Sequence, residues 1–315
     1  MDQKMPNSQH NIVAFPQTAA PEASASPPDG HATAVVIPIG DAISLISDHP
    51  SSQPAVAPPL DLGELWNAIN EKRVVAHYQP QFDFSSGHTV AVEALARIVD
   101  ESGALILPAR FIELAEESAM IVPLGRAIIA QACEDLARWR AEGVAVERMA
   151  INLSAHQLNV DESLARYIDD CAAAHGLTAA DLEFELTERQ FLDSNGTGAT
   201  SINAIAELGA GLALDDFGIG YSSVAYLSDL PVTTVKLDRN MVARIPEHQT
   251  TERVIRHLVA MALDIGVNVV AEGIETWDQH DYLASTGCHL GQGFLFAEAM
   301  HAEDLTGFVG CIEGI

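Results

Sequence analysis

The residues able to do chemistry recur at one kind of place, the end of a short apolar run. Asn152 stands in Ala-Ile-Asn-Leu-Ser, Glu185 and Glu188 in Glu-Phe-Glu-Leu-Thr-Glu, and Asp215 and Asp216 close Leu-Ala-Leu-Asp-Asp. Lys236 and Asp238 close Thr-Val-Lys-Leu-Asp, Glu272 and Glu275 close Val-Val-Ala-Glu-Gly-Ile-Glu, and Gln292 sits in Leu-Gly-Gln-Gly-Phe. Several carboxylates brought together repel one another unless cations hold them. All-oxygen ligands with one amide and neither Cys nor His suit a hard ion, Mg²⁺ or Mn²⁺. The adjacent Asp215 and Asp216 are placed to serve two such ions, which can activate a water and stabilise both oxygens of an in-line phosphoryl displacement. A lysine among them would orient that water or neutralise developing charge. Taken singly, each acid is as well explained as the N-cap of the next helix, and the lysine as a solvated charge. The recurrence on nearly every strand is what favours a site.

Positioning these groups requires strands that share one end. The runs Val74–Phe84, Met149–Leu153, Leu182–Leu186, Gly211–Asp215, Thr233–Leu237, Asn268–Ala271 and His289–Phe296 read as strands. Helical patterns lie between them at Leu124–Glu142, Asp161–His175, Ala199–Leu208, Ser222–Ser228, Thr251–Asp264 and Trp277–Ser285. From Met149 onward the strands are almost continuously apolar, as strands covered on both faces should be. Repeated βα units of this kind predict a closed TIM-like (β/α)8 barrel, with an open doubly wound sheet as the rival. In a parallel barrel all strand C-termini open on one face, so distant strand ends converge there. Gly218-Ile219-Gly220 lacks the third glycine of a dinucleotide loop and reads as a turn. The twelve histidines show no HExxH or HxH grouping and read as scattered surface or packing residues.

Composition narrows the function classes. The 315 residues carry 44 Asp plus Glu against 16 Lys plus Arg, a formal charge of −28. That balance argues against DNA or RNA polymers and anionic membrane surfaces, which need clustered basic residues. Only three lysines occur, Lys4, Lys72 and Lys236, so the one at a strand end stands out. The four cysteines contain no CxxC pair, which speaks against a disulfide framework or structural zinc. No apolar run is long enough to insert into a membrane and no secretory leader is evident, so a cytoplasmic protein is expected. Residues 1–60 hold ten of the fifteen prolines and read as a flexible tail, interrupted by the apolar run Ala34–Ile39. A packed domain is expected over 61–315.

Glu93-Ala94-Leu95 followed by Arg97, with Tyr78-Gln79-Pro80 upstream and Pro108, Phe111-Ile112 and the strand-end segments downstream in order, resembles the EAL domain family of cyclic di-GMP phosphodiesterases. The resemblance covers roughly residues 62–310. It implies a TIM-like barrel whose irregular first strand runs antiparallel to the rest. It further implies two Mg²⁺ or Mn²⁺ ions and hydrolysis of cyclic di-GMP to linear pGpG. By matching motifs, Glu93, Asn152, Glu185 and Asp215 resemble the ligands of one metal, and Asp215 and Asp216 those of the other. Lys236 and Glu272 resemble the pair that positions and deprotonates the attacking water, with Gln292 beside it. Arg97 and Gln79 match substrate contacts, and Glu188, Asp238 and Glu275 match supporting carboxylates. Three positions depart from the family pattern: Ile219 for Thr, Ile98 for Trp and Phe294 for Tyr. None removes a metal ligand.

The resemblance also suggests a homodimer through the loop after Asp216, while a regulatory protein engaging residues 1–60 would supply an input that no second recognisable domain provides. Two other readings stay open. One is a non-catalytic cyclic di-GMP receptor or interaction module on the same fold, and the other is a barrel enzyme acting on a different phosphorylated substrate.

Overall fold

The computed structural model describes residues 60–187, 197–218, 227 and 231–313. The tail through residue 59, Glu188, Ile219 and the expected helix Ser222–Ser228, apart from Leu227, lie outside the described residues. Nine strands are formed among the described residues: β1 (Val74–Asp83), β2 (Thr89–Val99), β3 (Leu105–Ile106), β4 (Arg148–Asn152), β5 (Leu182–Thr187), β6 (Gly211–Phe217), β7 (Thr234–Leu237), β8 (Asn268–Ala271) and β9 (Leu290–Gly291). All but β3 close into an eight-stranded ring, because β1 pairs with both β2 and β9. The strands β2, β4, β5, β6, β7, β8 and β9 run parallel, while β1 is antiparallel to both neighbours, as expected. The two-residue β3 pairs antiparallel with the end of β2.

Ten α-helices are formed among the described residues: α1 (Leu62–Asn70), α2 (Ile112–Glu117), α3 (Ile121–Ala141), α4 (Ala155–Val160), α5 (Leu164–Ala174), α6 (Thr197–Glu207), α7 (Arg239–Val242), α8 (Gln249–Asp264), α9 (Trp277–Ser285) and α10 (Ala302–Glu313). Local chemistry sets several of their starts. Asp61 and Glu64 form a reciprocal capping box at α1, and Thr276 and Gln279 do the same at α9. No helix among the described residues is long and apolar enough to cross a membrane.

The strand that carries Glu93 was not among the strands read from the sequence. It forms because β1 and β2 make a hairpin, paired from Val74↔Ile98 to Phe82↔Thr89. The reversal is built by Asp83, whose Oδ1 accepts from the backbone N–H and hydroxyl groups of Ser85 and Ser86. At the other end of the barrel sequence, the strand expected over His289–Phe296 shortens to Leu290–Gly291. There Ile274 N–H donates to Gln292 O and Leu295 N–H to Ile274 O, so the chain wraps around the Ile274 backbone instead of extending. Gly293 permits this, since a Cβ on it would lie 2.2 Å from the Ile274 backbone.

Outside the ring, side chains pack against the helices. Tyr78 and Trp139 are fully buried and meet edge to face with centroids 4.7 Å apart. The Tyr78 hydroxyl donates to Asp135 Oδ2 at 2.5 Å, and Arg138 donates to the other oxygen at 2.6 Å. Each such large apolar body contributes about 1.5–3 kcal/mol by burial. Inside the ring, alternate residues stack in layers. Toward the strand N-termini, Glu183 Oε2 accepts from Arg148 at 3.1 Å and from Thr234 Oγ1 at 2.6 Å. Further along the same strands come Glu185 and Lys236, two residues beyond Glu183 and Thr234, and Asn152, four beyond Arg148.

Candidate active site

The strand periodicity brings most of the expected groups to one end of the barrel. Glu93 comes from β2, Asn152 from β4, Glu185 from β5, Asp215 and Asp216 from β6, Lys236 from β7, Glu272 from just beyond β8 and Gln292 from just beyond β9. Lys236, only 1% exposed, is the hub. Its Nζ lies 2.7 Å from Glu185 Oε2, 2.7 Å from Glu272 Oε1 and 3.2 Å from Glu93 Oε2. Gln292 Nε2 donates to Glu93 Oε2 at 2.7 Å and to Glu272 Oε1 at 3.2 Å. Asn152 Nδ2 donates to Glu93 Oε1 at 2.8 Å.

This is a charge-excess cluster, and the proton affinities follow from that. Burial opposes ionisation of Glu93, but Lys236, Gln292 and Asn152 outweigh it and hold that carboxyl below its ordinary range. Glu185 receives less help. Burial and the Glu93 charge push it well above the carboxylate range despite Lys236. Burial likewise raises Glu272, against Lys236 and with Asp215 and Glu93, to about 7. Burial disfavours the Lys236 ammonium, yet Glu185, Glu272 and Glu93 together raise its proton affinity well above that of a free lysine.

The remaining expected residues are placed around this hub. Asp216 is exposed and takes a left-handed φ of 56°, with its N–H donating to Asp215 Oδ1 at 2.9 Å. Burial of its carboxyl, then the charges of Asp215 and Asp238, raise its proton affinity. Asp238 does what the plainer explanation of a strand-end acid allows: it caps α7 by accepting from Asn240 N–H at 2.8 Å. Gln79 lies opposite Glu93 in the β1–β2 register and donates to Ala297 O at 3.1 Å. Arg97 is half-buried further along β2, donates to Ala96 O at 2.9 Å and is electrostatically coupled to Glu93. Glu275 stands apart from the cluster: it is exposed, and its backbone N–H donates to Gln279 Oε1 at 2.7 Å. Glu188 lies outside the described residues.

A cavity of about 280 Å³ opens beside Glu93 and Asn152, walled by Leu95, Pro108, Ile112 and Leu124 and floored by Ser154 and Gln157. Ser154 donates to Glu116 at 2.5 Å, and Gln157 Nε2 is buried without a hydrogen-bond partner among the described residues. Neither Ser154, Glu116 nor Gln157 was singled out from the sequence. The available signal was Ser154-Ala155-His156-Gln157 directly after the strand-end Asn152.

In donor chemistry the cluster suits a hard divalent cation. Its acids and amide offer oxygen, and Glu185 Oε1 is a buried carboxylate oxygen with no hydrogen-bond donor among the described residues. Among the described residues no group of three or more His, Cys, Asp or Glu is itself arranged to hold a metal ion. Lys236 supplies the positive charge between three of the carboxylates instead.

The fold is therefore a closed parallel barrel with one antiparallel strand, carrying a lysine-centred acid cluster at the strand C-termini, the face on which barrel enzymes place their sites. The family model described as "EAL domain" matches residues 63–299, and the chain belongs to that family. It is 38% identical over 229 residues to the "Cyclic di-GMP phosphodiesterase PA2567" of Pseudomonas aeruginosa, covering 72% of this chain and 38% of that protein. It is 35% identical over 238 residues to the "Cyclic di-GMP phosphodiesterase PdeR" of Escherichia coli, covering 76% of this chain and 36% of that protein. Among solved structures, "PaMucR Phosphodiesterase, c-di-GMP complex" superposes with a TM-score of 0.72 at 32% identity, covering 78% of this chain and 98% of that one. The chain thus spans roughly a third of the length of these curated relatives.

Proposed function

We propose that this chain hydrolyses cyclic di-GMP to linear pGpG. The observation that carries the reading is Lys236 buried among Glu93, Glu185 and Glu272, with Glu272 poised near neutrality. The names of the relatives at 38% and 35% identity support the choice of substrate. Every side chain that the family resemblance assigns to the reaction, other than Glu188, stands among the described residues.

Two divalent ions, Mg²⁺ or Mn²⁺, would be held by Glu93, Asn152, Glu185 and Asp215 for one and by Asp215 and Asp216 for the other. When bound they would supply charge neutralisation at the phosphoryl oxygens and lower the proton affinity of water. The chain's own residues do the rest. Lys236 fixes the attacking water and balances negative charge as it builds on phosphorus, and Gln292 holds Glu93 and Glu272 in register. Glu272, with its pKa near 7, accepts the proton of the water. The new P–O bond forms as one ester P–O bond breaks, and the released ribose oxygen takes up a proton. Arg97 and Gln79 contact the substrate from the antiparallel hairpin. Asp238 supports Asp216 from the start of α7, and Glu188 and Glu275 support the flanking loops. The same reading includes a homodimer through the loop after Asp216 and a regulatory partner engaged by residues 1–60.

The test is incubation of the purified full chain with cyclic di-GMP and Mg²⁺ or Mn²⁺ in ¹⁸O-labelled water. The expected product is pGpG carrying one ¹⁸O in its terminal phosphate. Cyclic di-GMP that binds and is recovered unlabelled and intact would overturn catalysis in favour of a receptor. Selective cleavage of a different phosphodiester would overturn the substrate.

A further inference from the structure

Away from the barrel mouth, α3 and α5 pack side by side with a fixed register. Arg126 on α3 grips Asp161, just before α5, through two bonds of 2.9 and 2.6 Å. Tyr167 on α5 donates its hydroxyl to Arg126 O at 3.0 Å, and the guanidinium lies 4.7 Å from the Tyr167 ring centroid. Cys133 lies about two turns beyond Arg126 on α3, and Cys171 about one turn beyond Tyr167 on α5. The clamp therefore sets the two cysteines on facing sides of the α3–α5 seam, where Cys171 packs against the core that contains Cys133 and each thiol perturbs the other's proton affinity. Cys133 is completely buried, Cys171 is half-buried, and neither is in a disulfide.

We propose that Cys133 and Cys171 form a reversible disulfide site, oxidised by a hydroperoxide that reacts first at Cys171. Cys171 is the accessible sulfur, and the neighbouring Cys133 thiol holds the Cys171 thiol below the ordinary range, favouring the nucleophilic thiolate. Cys133 is the resolving sulfur, shielded from solvent on the facing side of the same helix seam. In the first step the Cys171 thiolate forms an S–O bond as the peroxide O–O bond breaks, and the departing hydroxide or alkoxide takes a proton. In the second, Cys133 sulfur forms the S–S bond as the S–O bond breaks, and hydroxide leaves with the Cys133 proton as water. The two thiols are oxidised by two electrons and the hydroperoxide is reduced by two. Cys288 is the contrast: burial pushes its thiol up to about 12, and it bonds backbone carbonyls rather than a second sulfur.

The full chain is treated with hydrogen peroxide, denatured, alkylated and digested. The expected result is loss of two alkylatable thiols of the four cysteines. A peptide pair linked through Cys133 and Cys171, lighter by two hydrogens, should appear and be reversed by dithiothreitol. In Cys133→Ala, Cys171 should be trapped by dimedone as its sulfenic acid. In Cys171→Ser, which changes the less buried position, Cys133 should remain alkylatable. Retention of both thiols in the wild type would overturn the proposal. So would linkage of a different pair, or Cys171 oxidised to the sulfinic acid while Cys133 stays free.

Discussion

The barrel interior holds two charged layers built from the same strands, and they are organised differently. In the layer toward the strand N-termini, the buried Glu183 is matched by one guanidinium and one hydroxyl, from Arg148 and Thr234. Two residues further along β5 and β7 lie Glu185 and Lys236, whose one ammonium serves Glu185, Glu93 from β2 and Glu272 from the end of β8, with Asp215 adding to the field. A balanced layer holds strands in place. An acid-rich layer does not balance itself, and its excess negative charge would be neutralised by divalent cations, which would then admit an anionic phosphate.

The largest effect should separate the layers by rate. Lys236→Met or Glu272→Gln should lower turnover by about 10²–10⁴-fold, the usual worth of a positioned acid–base group. Steady-state hydrolysis of cyclic di-GMP checks this, and a variant retaining full rate would remove that residue from the reaction. Next, divalent ions should stabilise only the acid-rich layer. At about a hundred times its dissociation constant, Mn²⁺ should raise unfolding free energy by about 2.7 kcal/mol, measured by urea titration. Glu185→Gln should lose most of that gain, whereas Glu183→Gln should keep it.

A comparable but different loss is expected in the balanced layer. Glu183→Gln should cost about 1–3 kcal/mol of stability through weakened bonds to Arg148 and Thr234, with turnover per folded molecule unchanged. The smallest effect is in pH. Glu272 has its folded value raised to about 7 against an ordinary 4.5. Between those values the folded chain keeps a proton that the unfolded chain has released. The stability contributed by this group is therefore present at low pH and lost as pH rises through 7. Unfolding of the metal-free chain across pH 4.5–7.5 should show that decline, reduced in Glu272→Gln.

Much of the acid-rich layer was legible because strand-end acids in a parallel barrel have only one face on which to meet. Asn152, Glu185, Asp215, Lys236, Glu272 and Gln292 all reach it. The balanced layer was not legible. Glu183 and Glu185 are the same residue type two positions apart, and only depth in the barrel distinguishes them. The strand β2 was missed for another reason: Ala91-Val92-Glu93-Ala94-Leu95-Ala96-Arg97 is rich in helix formers, and pairing with β1 overrides that preference. The short β9 depends on Gly293 lying against the Ile274 backbone, a contact that no local pattern encodes. The cysteine pair is similar, since Cys133 and Cys171 are brought together only by the packing of α3 on α5.

The most direct measurement follows a single turnover of cyclic di-GMP with Mn²⁺ on three proteins side by side: wild type, Glu183→Gln and Lys236→Met. Linear pGpG should form at equal rates per folded molecule in the first two and not in the third. Intact nucleotide from the wild type, or equal product from Lys236→Met, would contradict the assignment of the chemistry to the acid-rich layer.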